Sequence, residues 1–266
     1  MHSREEFEIL IYMFKSKQIF TAIIFVALSF VILITSNITK DIPLNDLKSE
    51  FKNESSRFVE VDGILVHYTD EGNGIPIILL HGTGSSLHTW DIWTEKLKEN
   101  YRVLRITLPG FGLSGPRLDK RYGIKDYVNL LDSFVELVGI EKFYLVGNSL
   151  GGSIAWLYTS FYDEKIKKLI LINSSGFEMV EIPLVIRIAR NNFLNFLVKK
   201  TSVKFLIKKS LKEVYYDDKL ISKSIIDRYY KLNLREGNRQ AFIDRALINY
   251  IDHTSRLKKI KSPTLI

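Results

Sequence analysis

The sequence predicts an α/β fold: a mostly parallel sheet with helices on both faces, a helical cap above it, and one apolar helix ahead of the domain. Three observations predict this. Between residues 57 and 176, short apolar runs of strand length alternate with amphipathic helical stretches, the pattern of a parallel sheet whose crossovers are helices. From 177 to 257 the spacing is helical, rich in Lys, Tyr, Leu and Ile, with no strand alternation. Residues 19–34, IFTAIIFVALSFVILI, carry no charge.

The domain elements follow in order. Residues 58–61 and 65–68 flank Asp62-Gly63, the turn of a hairpin. The continuous apolar run 76–80 reads as a buried parallel strand, and His81-Gly82-Thr83-Gly84 follows at its end. Residues 90–100 have helical spacing. Residues 102–107 form the next strand, which Pro109-Gly110-Phe111-Gly112 breaks. A helix is expected over 125–138, stopped by Gly139, and a strand over 142–146. Gly147 to Gly152 turns that strand into a helix over 153–161, and residues 166–172 supply one more strand. Residues 258–266, KKIKSPTLI, approach a further one.

Composition narrows the function. Of 266 residues, 46% are hydrophobic and 26% charged, an ordinary globular balance. The formal charge of +8 is spread along the chain, and no basic run interleaves with aromatics as a nucleic-acid platform would, so no nucleic-acid partner is expected. The absence of cysteine excludes disulfides, thiolate metal sites and a cysteine nucleophile. No phosphate loop, zinc spacing, EF-hand or dinucleotide fingerprint occurs, so neither a metal nor a cofactor is implied.

The front of the chain divides into residues 1–18, an apolar segment 19–36, and a polar stretch 37–56 that reads as a stalk. A second apolar patch lies at 9–14. The long region before the apolar run and the lack of a small-x-small cleavage site favour an uncleaved single-pass anchor. Arg4, Lys15 and Lys17 before it set the N-terminus inside and the domain on the outer or periplasmic face.

The chemistry concentrates in Gly147-Asn148-Ser149-Leu150-Gly151. A G-x-S-x-G between an apolar strand and a helix exposes the serine oxygen on a sharp turn, while its glycines and Gly152 admit close packing. The helix start favours negative charge at that point. The stretches HGTG (81–84), LPGFGLS (108–114), GNSLGG (147–152), NSSGF (173–177) and KIKSPTLI (259–266) together resemble the α/β-hydrolase superfamily, with likeness to membrane-anchored bacterial members and monoacylglycerol-lipase-like enzymes. The resemblance implies Ser149 as nucleophile, backbone N–H groups of Leu150 and Thr83 as oxyanion donors, and His81, Gly82 and Gly84 as loop support. Asn148, Leu87 and Trp90 are candidates for the pocket.

The resemblance also implies an acid after the strand that starts at Pro263, then a histidine; both are expected beyond Ile266, which makes the chain a truncated, nearly inactive form. His2, His67, His81, His88 and His253 match no base position. The expected function is serine hydrolysis of small or lipid-like carboxylic esters through an acyl-enzyme. The alternatives are carbon–carbon bond hydrolysis or aminopeptidase chemistry on the same fold, and a membrane-tethered non-catalytic domain.

Overall fold

A computed structural model describes residues 17–266 except 27, 30, 33, 34, 37, 179, 180, 183 and 203. A single sheet of seven strands has the order β1-β2-β4-β3-β5-β6-β7. The strands are β1 Ser56–Val61, β2 Ile64–Glu71, β3 Ile75–Leu80, β4 Tyr101–Ile106, β5 Phe143–Asn148, β6 Ile166–Ile172 and β7 Thr264–Leu265. Antiparallel pairing links β1 to β2 and β2 to β4; every other neighbour is parallel. The hairpin turn needs two left-handed residues, and Asp62 (φ 51°) and Gly63 (φ 75°) supply them. The final residues continue the sheet, with Leu169 opposite Thr264.

The helices are α1 Leu44–Phe51, α2 Asp91–Leu97, α3 Ile124–Leu137, α4 Leu150–Phe161, α5 Leu184–Arg190, α6 Asn195–Lys200, α7 Lys204–Val214, α8 Lys223–Asn233 and α9 Asn238–Ala246. The main core lies between one sheet face and α3 with α4: Ile78, Leu80, Leu104, Leu145, Phe134 and Ile154 are buried together. Helix α4 is buried along nearly its whole length, which is why its sequence is apolar around the helix rather than on one stripe. The other face packs Ile77, Leu79, Val103 and Val146 against Trp90. Trp90 belongs to this packing, and Leu87 and Trp90 are both buried.

The front of the chain differs from expectation in its polar stretch. Residues 17–26, 28–29, 31–32 and 35–36 are helical with exposed apolar side chains, yet among the described residues no helix is long and apolar enough to cross a membrane. The patch at 9–14, Arg4, Lys15 and His2 lie outside the described residues. Residues 38–56, in a stretch polar enough to read as a stalk, are instead docked on the cap. Leu47 of α1 is 1% exposed and packs with Leu113 and Leu232, bordered by Phe51 and Phe58. Ile42 N–H donates to Leu234 O at 2.7 Å, Glu236 N–H donates to Ile42 O at 3.0 Å, and Lys231 Nζ meets Glu50 at 2.7 Å. The buried Arg239 guanidinium grips Asp41 at 2.6 Å and the Thr39 carbonyl at 2.7 Å. Leu44, Leu47 and Phe51 share one side of a short helix, enough to bind a neighbour and too few to show as a domain element.

A buried cation joins strands and cap. Arg105 is 2% exposed; its Nε donates to Thr69 Oγ1 at 2.9 Å, and it pairs with Glu71 at 2.5 Å and with Asp91 at the start of α2. Asp91 also accepts from Arg228 of α8 at 3.3 Å. Removing either partner of such a buried pair strands the other charge.

Two predictions follow from this packing. Replacing Leu47 with Ala should lower unfolding free energy by about 2–4 kcal/mol in urea titration, the usual cost of a core leucine; an unchanged midpoint would mean that α1 is not part of the cooperative unit. The second concerns acid. Burial lowers His67 to about 3 and His81 to about 4 from an ordinary 6.5, so the folded state keeps both neutral where the unfolded chain would protonate them. Their stability is complete above pH 6.5 and falls as pH drops from 6.5 towards 4, by about 1.4 kcal/mol per pH unit for each histidine. Burial lowers His88 to about 4 as well, so urea midpoints measured from pH 7.5 to 4.5 should show the slope of three histidines, and His67→Gln should remove about a third of it.

Candidate functional site

The site is built on a backbone conformation. Ser149 ends β5 and caps α4 with φ 52° and ψ −114°, a left-handed φ that a β-carbon makes costly. Packing holds it there. A β-carbon on Gly147 would strike the Gly151 carbonyl, and one on Gly151 would strike the Leu80 carbonyl, so strand and helix close on each other more tightly than any other residue permits. Backbone bonds finish the turn: Ser149 N–H donates to Ile172 O, and Ser153 and Ser175 N–H groups both donate to Ser149 O, each at 3.1 Å. The serine side chain is left partly exposed, and among the described residues its Oγ enters no hydrogen bond.

The sequence-predicted loop after β3 comes to the same place. Gly82 abuts the elbow so closely that a β-carbon there would lie 3.2 Å from Ser149 Cβ and 3.0 Å from Asn148 Oδ1. Asn148 turns its amide away, donating to Ile172 O at 3.1 Å, and so braces the β5–β6 end of the sheet. Gly84 adopts φ 73°, which turns the loop outward past Thr83. Gly152 lies against Ser174 of the loop after β6, where a β-carbon would clash, and Ser153 Oγ meets Ser175 Oγ at 2.5 Å.

His81 is structural, as its position in the loop implies. Its Nδ1–H donates to Gly82 O at 2.7 Å and its Nε2 accepts from Leu108 N–H at 3.0 Å, fixing one neutral tautomer and stitching the HGTG loop to the LPGFGLS loop. Phe111 packs edge-on against the ring at 5.6 Å. The other two buried imidazoles are equally committed. His67 contacts Ser56 Oγ at 3.0 Å and Thr107 Oγ1 at 3.3 Å, stacked on Phe58. His88 contacts Phe51 O at 3.0 Å and Ser86 Oγ at 3.1 Å, and burial lowers it to about 4. None of the three has a free nitrogen with which to take a proton from serine. His253 caps the last turn before β7.

Three cap residues that sequence reading did not single out reach the site. Arg245 of α9 donates from Nη2 to Thr83 Oγ1 at 2.9 Å, and its guanidinium sits 5.7 Å over the Phe111 ring. Burial lowers its pKa, its Nε is buried without a hydrogen-bond partner, and it has no ion pair among the described residues. Tyr229 of α8 bonds Ser85 Oγ at 3.1 Å, and Arg228 reaches Asp91. Nothing in local spacing marks these residues, because each acts across more than 130 positions of chain. A cavity of about 30 Å³ lies between the loops and the cap, lined by Ser85, Gly110, Phe111, Tyr229 and Asn238; Ser149 does not line it. Among the described residues no cluster of His, Cys, Asp or Glu could hold a metal ion.

Comparison with known proteins agrees with this geometry. The chain is 26% identical to the 2-hydroxy-6-oxo-2,4-heptadienoate hydrolase of Pseudomonas putida over 194 residues, covering 71% of this chain and 66% of that protein. It is 27% identical to a 2-hydroxy-6-oxononadienedioate/2-hydroxy-6-oxononatrienedioate hydrolase of Paraburkholderia phymatum, over 84% of this chain and 81% of the other. The chain spans about two thirds or less of the length of the first curated relatives it matches. Among solved structures, a bacterial membrane phospholipase A superposes with a TM-score of 0.65 at 22% identity, covering 94% of this chain and 80% of that one. A meta-cleavage product hydrolase from Pseudomonas fluorescens superposes with a TM-score of 0.63 at 23% identity, over 78% and 77%. The family model described as the alpha/beta hydrolase fold matches residues 75–266, and the chain belongs to that family.

Proposed function

We propose that the protein is a serine hydrolase in which Ser149 attacks the carbonyl carbon of a carboxylic ester and forms an acyl-enzyme. The observation that carries this reading is the strained Ser149 backbone, which points Oγ out of the sheet's carboxyl edge beside the Gly82–Thr83 loop. Attack converts the carbonyl oxygen to an oxyanion. Leu150 N–H, in the first turn of α4, and Thr83 N–H are the donors assigned to it, worth about 3–4 kcal/mol each in the transition state. Arg245 adds a cation against the same loop. The helix start supplies further favourable potential. Serine requires a base, and the reading assigns that role to none of His67, His81 or His88.

Small or lipid-like esters are the substrates of this proposal, with the apolar segment 19–36 as a single-pass anchor and the domain on the outer face. The exposed apolar side chains of that segment support it. A second reading, hydrolysis of a carbon–carbon bond next to a ketone, is supported by the names of the curated relatives, and it uses the same nucleophile and donors. The unpaired Arg245 suits the carboxylate of such a dienoate.

A substrate panel separates the two. Protein expressed from its own reading frame should cleave p-nitrophenyl butyrate and monoacylglycerols, and Ser149→Ala should lower kcat by at least about 10³-fold. Turnover of a 2-hydroxy-6-oxo-dienoate with esters untouched would establish the second reading. If no substrate turned over and a fluorophosphonate failed to label Ser149, both would be abandoned. Arg245→Gln, which keeps a donor for Thr83 but removes the charge, should reduce kcat about tenfold or more with little change in KM.

A further inference from the structure

The outer surface of the cap is unlike the rest of the molecule. Phe193, Phe205, Leu184 and Val214 are 87%, 70%, 67% and 76% exposed, and Leu206 joins them. Exposed large apolar residues also occur elsewhere on the domain, among them Leu118 and Ile92 beside Trp93, and single ones are ordinary. A run of exposed aromatic and aliphatic side chains along residues 184–214 marks an interaction surface.

Its charge is as one-sided as its apolarity. Residues 184–214 contain eight basic side chains and a single carboxylate, Glu213. Lys204 and Lys212 are paired with Asp227 and Asp218, whereas Lys199, Lys200, Lys208 and Lys209 have no ion pair among the described residues. Aromatic residues with interspersed free lysines on short amphipathic helices match a surface that lies in a lipid interface, the rings among the acyl chains and the ammonium groups against anionic headgroups.

The N-terminal helix reaches the domain at this surface. Ile38 pairs with Thr201 in an antiparallel bridge, and Thr39 N–H donates to Lys200 O at 3.0 Å. The exposed apolar residues of 17–36 therefore join the domain at the junction of α6 and α7, between Lys199-Lys200 and Phe205. Arg239 on Asp41 holds that junction in place. Two apolar surfaces meeting at one clamped point favour a single planar partner over a second protein chain.

We propose that the α5–α7 face of the cap docks on an anionic lipid bilayer, with Phe193 and Phe205 entering the interface and Lys208 and Lys209 facing acidic headgroups. This goes beyond the anchoring of residues 19–36 and does not depend on which bond Ser149 cleaves. Docking there lays the cap, whose α9 carries Arg245 to the oxyanion loop, directly on the source of lipid-like substrates.

The absence of cysteine makes the test direct, because one introduced thiol is the only one to label. Phe193→Cys, Phe205→Cys and, as a reference on the core, Ile92→Cys are each labelled with a polarity-sensitive dye in the otherwise intact chain. With vesicles of phosphatidylcholine and phosphatidylglycerol, the dyes at 193 and 205 should shift to the blue and be quenched by quenchers attached to lipid chains, while the dye at 92 should not change. Lys208→Glu with Lys209→Glu should weaken the response at least about tenfold. If the protein floats with the vesicles while the dyes at 193 and 205 stay in water, the anchor binds alone and the proposal is overturned. A shift that rises with protein concentration in the absence of vesicles identifies a second copy as the occupant and overturns it equally. A protein that neither floats nor shifts overturns the docking face together with the anchor.

Discussion

Everything at the candidate site depends on how closely α4 approaches β5 and the end of β3. The strand enters the turn with Gly147, the helix leaves it with Gly151, and each glycine faces a backbone carbonyl where a β-carbon would stand. The contact forces Ser149 into a left-handed conformation that a non-glycine residue adopts only when its surroundings dictate it. Burial of α4 from Leu150 to Ser160 stabilises the arrangement against that strain. The serine is thereby fixed before any substrate arrives, and the reorganisation that a flexible nucleophile would require is already complete on folding.

The loops around the elbow are fixed by a different device: polar groups removed from water and fully occupied. His81 bridges two loops through both ring nitrogens, and Ser114 accepts from His67 N–H at 2.9 Å while donating to Thr107 O at 2.5 Å. Arg105 ties β2, β4 and α2 together. A buried group with all partners satisfied is rigid, since each alternative leaves a donor or acceptor unmatched in a low-dielectric interior. The same burial that makes these imidazoles good braces holds them neutral and engaged, which disqualifies them as bases. Bracing and proton transfer are in conflict within one side chain, and here three of the described histidines are given to bracing.

Much of this was legible in the sequence because it is local. Each strand and helix of the core follows from apolar periodicity and from turn residues, and the boundaries differ by up to three residues, as at α4, which begins at Leu150 rather than 153. The elbow, the HGTG loop and the LPGFGLS loop were legible because glycine, proline and serine in those orders carry backbone information. What escaped was set by pairings across long stretches of chain. Arg245 on Thr83, Tyr229 on Ser85 and Arg239 on Asp41 leave no periodic trace, since any exposed helix carries such residues. The docking of residues 38–56 escaped for a related reason. Hydropathy averages over a window, and Leu47 among polar neighbours vanishes in the average although it is buried to 1%.

The docked α1 changes how the two halves of the molecule relate. A flexible stalk would let a tethered domain tumble, and the anchor and the site would be energetically independent. Here α1 packs on α8 through Leu47 and Leu232, α8 reaches the loop after β3 through Tyr229 and the start of α2 through Arg228, and α9 both clamps Asp41 with Arg239 and contacts Thr83 with Arg245. The residues that hold the N-terminal segment and those that press on the HGTG loop are thus carried by the same two helices. Coupling between distant points can travel through packed helices and hydrogen bonds, and α8 with α9 joins the N-terminal segment to the loop beside Ser149. A force or restraint applied to the N-terminal segment has its shortest physical route, through these helices, to the loop beside Ser149.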